Sequence, residues 1–167
     1  MVGFGFTVDM HQVEQLAAKY PGVSDEVVRD TLTVIEMRLE AEVAQRTPKG
    51  VGGAAGRLGS IQGEVVMTGM TAAAVMGSPL EYAPVVEMGR RPGQRMPPVA
   101  PIALWARRKL GVGADEATSV GFAIAHKIAE EGFAGAHMFE KALKEADRWI
   151  MTQINLIPKR IIQRIGG

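Results

Sequence analysis

Between Asp25 and Arg46 apolar side chains return at every third or fourth position, and Val28, Leu32, Ile35, Leu39 and Val43 form one stripe. Arg29, Asp30, Glu36, Arg38, Glu40 and Glu42 fill the remaining positions, so the segment predicts a helix with one buried and one wet face. Ser24 is placed to cap its start, Asp25 and Glu26 complement the positive end of its dipole, and Pro48 lies beyond its end. A second helical stripe runs from about Met138 towards Ile165 through Phe139, Leu143, Ala146, Ile150, Ile154, Ile157 and Ile161, with Pro158 expected to kink or interrupt it. Two shorter helices are expected between these. Ile102–Leu110 follows Pro98 and Pro101 and stops at Gly111-Val112-Gly113, and Asp115 caps a helix carrying Val120, Ile124 and Ile128 to Gly132.

Elsewhere the period shortens. Gly63–Thr68 and Thr71–Gly77 predict two strands joined near Gly69-Met70, although Ala72-Ala73-Ala74 is weak strand material. Tyr82–Met88 predicts a third strand or a short helical turn. Phe4, Phe6 and Val8 alternate with small or polar residues, as a short strand or an arm seeking a groove would. Asp9 and Gln12 form a capping box for a short helix to about Lys19, after which Pro21-Gly22 breaks the chain. Glycines at 50, 52, 53, 56, 59 and 63 predict a flexible loop over 47–63, and prolines at 92, 97, 98 and 101 a second loop.

Composition narrows the function classes. A chain of 167 residues, 47% hydrophobic, can bury a core as one domain over 1–167 without disulfide or metal. With no cysteine, Cys-ligated zinc and thiol nucleophiles are excluded. Nineteen basic against eighteen acidic residues leave no overall excess for gripping nucleic acid. No run of eighteen apolar residues suggests a membrane span, and Met1–Met10 lacks the basic region of a secretory signal, so synthesis in a cytoplasm is expected. Ten Met and twenty Gly suit adaptable contacts better than a rigid pocket.

Candidate chemistry is sparse, and no enzyme, cofactor or metal is expected. Gly56 precedes Arg57-Leu58 where a phosphate-cradling loop needs Gly-Lys-Ser or Gly-Lys-Thr. Gly50-Val51-Gly52 follows a helix, the wrong context for a dinucleotide fingerprint. His126, Glu130 and His137 lack a further ligand pair for a metal, and none of the serines at 24, 60, 78 and 119 sits in a nucleophile elbow. The basic clusters say more: Arg90, Arg91 and Arg95 in the proline loop, Arg107, Arg108 and Lys109 closing a helix, and Lys159, Arg160 and Arg164 near the carboxyl end. Helix-dipole compensation suffices for the second cluster; contact with DNA phosphates or acidic partner surfaces is the functional reading of the first.

Three ordered signatures complete the reading: Arg46-Thr47-Pro48 with Gly56-Arg57-Leu58-Gly59-Ser60-Ile61, then Glu81-Tyr82-Ala83-Pro84-Val85-Val86-Glu87-Met88-Gly89, then Gly135-Ala136-His137-Met138-Phe139-Glu140-Lys141-Ala142-Leu143. In order and spacing, over about residues 24–150, they resemble a tailed-bacteriophage family of neck, tail-component and tail-completion proteins. Thr47, Pro48, Gly56, Leu58, Tyr82, Ala83, Glu87, Gly89, Phe139, Ala142 and Leu143 carry the resemblance. It implies an α+β fold, a small mostly antiparallel sheet packed against several helices. An amino-terminal arm over 1–8, a helical insertion over 90–132 and a carboxyl-terminal helical extension over 151–167 would be added to that fold. It further implies a non-enzymatic virion protein, a ring, commonly a hexamer, that joins head connector to tail tube in a neck, tail-completion or tail-terminator role. The partners implied are its own copies, adjacent neck and tail-tube proteins and passing DNA without sequence specificity, with no membrane. Arg57, Arg90, Arg91, Arg95, Lys159 and Arg160 are the interface or lumen candidates. A DNA-binding or transient assembly protein is the alternative, and a small hydrolase a weaker one.

Overall fold

A computed structural model of the protein describes residues 2–9, 13–48, 61–69, 71–80 and 82–166. In chain order these form β1 (Val2–Asp9), α1 (Glu14–Lys19), α2 (Pro21–Arg46), β2 (Gln62–Thr68), β3 (Thr71–Ser78), α3 (Ala83–Met88) and β4 (Gly89–Arg90). There follow α4 (Val99–Leu110), α5 (Ala114–Glu131), β5 (Phe133–Ala134), α6 (Met138–Asn155) and α7 (Ile157–Ile165). The fold is α+β, as expected, with antiparallel strand pairs and helices predominating. The expected loop over 47–63 falls largely outside the described residues, although Gln62 and Gly63 already belong to β2.

The chain divides into two compact units, where one domain with an insertion over 90–132 was the expectation from the sequence. The first takes Met1–Arg46, Ile61–Pro79 and Met138–Gly167; the second takes Thr47–Ser60 and Leu80–His137. The helical stretch over 90–132 thus lies inside a unit that also includes α3 and β4.

In the first unit a three-stranded sheet has the order β1-β3-β2, with β3 antiparallel to both neighbours. Register runs without a bulge from Val2↔Ser78 to Asp9↔Thr71 on one side and from Gln62↔Gly77 to Thr68↔Thr71 on the other. Of the two alternatives for Phe4, Phe6 and Val8, the strand is therefore the one found: Val2–Asp9 is paired along its length with β3 and is not a free arm, and Asp9 ends that strand instead of capping a helix. Ala72, Ala74 and Met76 are buried on one face of β3. Alanines that are weak strand formers alone are accommodated here because small side chains let α2 pack close to the central strand. Val28, Leu32, Ile35, Leu39 and Val43 of α2 are almost wholly inaccessible, each worth about 1.5–3 kcal/mol of burial. Ala142, Ala146 and Ile150 of α6 and Ile157 and Ile161 of α7 close the same core.

The start of α2 departs from expectation. Pro21 opens the helix, where it needs no amide partner, and Ser24 lies buried one turn inside with its hydroxyl unpaired. At the other end of the unit the expected interruption occurs: α6 stops at Asn155, Leu156 turns, and Pro158 occupies the first turn of α7.

The second unit centres on the α4–α5 hairpin. Gly111, in the left-handed region at φ +70°, closes α4 as its C-cap. The two helices meet through small residues. A Cβ on Gly121 would lie 2.8 Å from the backbone nitrogen of Ala103, and Ala106, Ala117 and Ala125 are buried nearby. Large apolar residues consequently stand outside that contact. Ile102, Trp105, Ile124 and Ile128 line a groove of about 440 Å³ together with Tyr82, Val86 and Pro101. The Tyr82–Met88 segment resolves into the helical turn α3, with Pro84 near its start.

Candidate functional site

The second signature ends in a tight backbone crossing within the second unit. Gly89 and Arg90 pair with Ala134 and Phe133 as β4 and β5. The Ala136 N–H donates to the Val86 carbonyl at 2.8 Å, and the His137 N–H to that of Glu87 at 3.1 Å. Gly89 adopts φ +75° and ψ −166°, and a Cβ there would run into the Phe133 carbonyl oxygen and the Gly135 nitrogen. A Cβ on Gly135 would in turn strike the Glu87 carbonyl oxygen. Two signature glycines, 46 positions apart in sequence, are therefore the residues at which the two segments touch. Glu87 is buried, as is Ala83, whereas Tyr82 is half-exposed. His137, whose N–H enters the crossing, holds φ +51°, an uncommon backbone conformation for a residue other than glycine.

Of the other signature residues, Thr47 and Pro48 follow directly on α2, and Phe139, Ala142 and Leu143 lie in the first two turns of α6. Phe139 and Ala142 are core residues of the first unit and Leu143 is half-buried. Gly56, Arg57 and Leu58 lie outside the described residues.

No protein-family model, curated protein or solved structure matches the chain.

The basic candidates separate into committed and available groups. Arg160 donates to Thr31 Oγ1 at 2.9 Å and to Gln153 Oε1 at 2.6 Å, pinning α7 to α2 and α6. Arg164 adds contacts to Glu26 at 3.1 Å and Asp30 at 3.3 Å. Both therefore serve the first unit internally, and of the carboxyl-terminal cluster Lys159 alone forms neither a side-chain hydrogen bond nor an ion pair among the described residues. In the second unit Arg90 donates to the Arg95 carbonyl, which curls the loop back across Gly93 at φ +77°. Arg91 and Arg95 are exposed beside it. Arg107, Arg108 and Lys109 sit in the last turn of α4, where their charge complements the helix dipole. None of these five exposed cations has an ion-pair partner among the described residues.

On α5, His126 and Lys127 form solvated pairs with Glu130 and Glu131. His126 Nδ1 lies 3.3 Å from Glu130 Oε2, one turn on, with the Phe122 ring 6.2 Å from its own. Among the described residues no three His, Asp or Glu side chains gather as a metal site would require. Burial, reinforced by nearby Glu40, raises the Glu36 carboxyl above the usual range; its side chain crosses β2 at Gly63, where a Cβ would meet it. Arg46 is held above its ordinary value by its bond to Glu42, and it also reaches Glu145 at 2.5 Å. No helix among the described residues is long and apolar enough to cross a membrane.

Proposed function

We propose that this chain is a non-enzymatic structural subunit of a tailed-phage neck or upper tail, assembled as a ring that joins head connector to tail tube and leaves a passage for DNA. The observation that carries the reading is the crossing at Gly89 and Gly135, which gives two of the three recognised signatures one shared structural purpose. Exposed apolar side chains agree with an assembling subunit. Met37 is 63% accessible, Met88 72% and Ile162 59%, and flexible methionines suit surfaces that must adapt to several neighbours.

Quantitative mass spectrometry of purified particles tests the assignment. A few copies per portal are expected; absence from mature particles would move the protein to a transient assembly role. Reversing Arg91 and Arg95 to glutamate should leave tails and filled heads unjoined, and an undiminished phage yield would remove these arginines from the interface.

A second reading, a DNA-binding accessory protein, is favoured by the five exposed cations of the second unit. It requires duplex affinity that falls steeply as salt rises, whereas a ring subunit should bind free duplex weakly.

A further inference from the structure

Both margins of the three-stranded sheet are open among the described residues. β3 is in the centre, so β1 and β2 each present one side without a partner. Edge strands are ordinarily short or blunted by lysine, proline, a bulge or a covering segment, since a bare edge recruits another strand. Here β1 has eight residues and β2 seven, neither contains Pro or Lys, and both registers run without a bulge. Glu64 is the only charge on β2, and even Val65 and Met67, aligned with buried Ala74 and Ala72, are only half-buried.

The outer face does nothing to obstruct approach. Gly3, Gly5 and Thr7 of β1 are exposed, and Gly5 faces Val75, whose Cγ2 would be 3.3 Å from a Cβ at that position. Val66 and Val75 are about two-fifths exposed on the same face.

Since β1 and β2 are each antiparallel to β3, they run in the same direction at opposite margins. That arrangement selects the occupant. A second copy of the chain, placed beside the first in the same sense, sets its β1 against the free side of β2. Every addition leaves one β1 and one β2 open, and only a closed ring leaves none. We infer that copies of this protein join through a parallel β2–β1 pairing that continues the sheet from subunit to subunit. The inference rests on the ring reading above and names the contact that builds the ring.

Two measurements on the full chain test it. Successive strand residues turn their N–H groups to opposite sides, so Val65→Pro and Val66→Pro split the two roles: one removes a donor to β3, the other a donor at the free margin. The variant that keeps its circular dichroism should lose the ring in native mass spectrometry and appear as monomer. The chain contains no cysteine, so a disulfide scan starts from a clean background. Chains carrying Thr7→Cys alone, mixed with chains carrying Gln62→Cys, Glu64→Cys, Val66→Cys or Thr68→Cys alone, should cross-link at one or two positions on oxidation. A β2 variant that cross-links with itself would show a two-fold β2–β2 contact and overturn the head-to-tail pairing. A ring that survives the folded proline variant, with no Thr7→Cys cross-link, would leave the ring reading standing and overturn this contact. Wild-type protein that stays monomeric at every concentration and is missing from particles would overturn both.

Discussion

Replacing Gly89 by alanine isolates what the crossing with Gly135 contributes. Two separate costs arise. The conformation at φ +75° and ψ −166° is one that only glycine occupies readily, and an L side chain there costs about 1–3 kcal/mol. The added Cβ also meets the backbone of Phe133, Ala134 and Gly135, held in place by the Ala136 and His137 amide bonds to Val86 and Glu87. Overpacking against atoms that cannot rotate away adds about 1–3 kcal/mol more. Gly93 supplies the control: at φ +77° it has nothing within 4 Å of a built Cβ, so Gly93→Ala carries only the conformational cost, about 1–2 kcal/mol. A unit of this size is worth about 3–9 kcal/mol in all, so Gly89→Ala should bring the second unit close to unfolding while Gly93→Ala leaves it folded. The two tryptophans make the assay local. Trp105 lies in α4 of the second unit and Trp149 in α6 of the first, so Trp149→Phe leaves a fluorophore for one and Trp105→Phe for the other. Urea titrations should show the Trp105 midpoint falling far more for Gly89→Ala than for Gly93→Ala. Equal shifts at the two positions, or a loss seen mainly by Trp149, would refute the crossing as the source.

Leu39→Ala, at a side chain 1% accessible, should cost about 2–5 kcal/mol and register at Trp149; a loss below about 1 kcal/mol would mean that the α2 stripe is not the core it is taken to be. Arg160→Ala removes donors to Thr31 and Gln153 and should cost about 1–3 kcal/mol, with Arg160→Lys restoring only part because the fork is lost; full restoration by lysine would show that charge alone matters. Glu36→Gln has a definite sign. A carboxyl raised in the folded state disfavours its own ionisation there, so the wild type loses stability as pH rises through that raised value. The glutamine variant should therefore melt higher than wild type at about pH 7, with the gap closing at about pH 4 and below. A gap unchanged with pH would assign the effect to packing against Gly63.

The helical stripes were legible because burial imposes its period on the sequence wherever one face is covered, and α2, α6 and α7 obey it from Val28 to Ile161. Element starts were less so. Ser24 and Pro21 both carry helix-start signals, and only the course of the chain shows that proline took the first turn while serine was carried into the core. β1 showed its alternation, but its partner lies more than sixty residues on, and no local pattern states that Phe4 pairs with Met76. The candidate site was harder still. Gly89 and Gly135 read in sequence only as points of backbone freedom, whereas what fixes them is mutual proximity. Charge poses the same problem in another form. Arg91 and Arg160 are equal members of basic clusters until one is seen exposed, with no ion-pair partner among the described residues, and the other bonded to Thr31 and Gln153. A part-buried guanidinium that satisfies internal acceptors, as that of Arg160 does, cannot also bind a phosphate or a neighbouring carboxylate without giving those acceptors up. The search for partners therefore belongs with Arg91, Arg95, Arg107, Arg108 and Lys109, and with the margins of the sheet, where backbone groups without a strand partner among the described residues impose a demand that side-chain chemistry alone does not reveal.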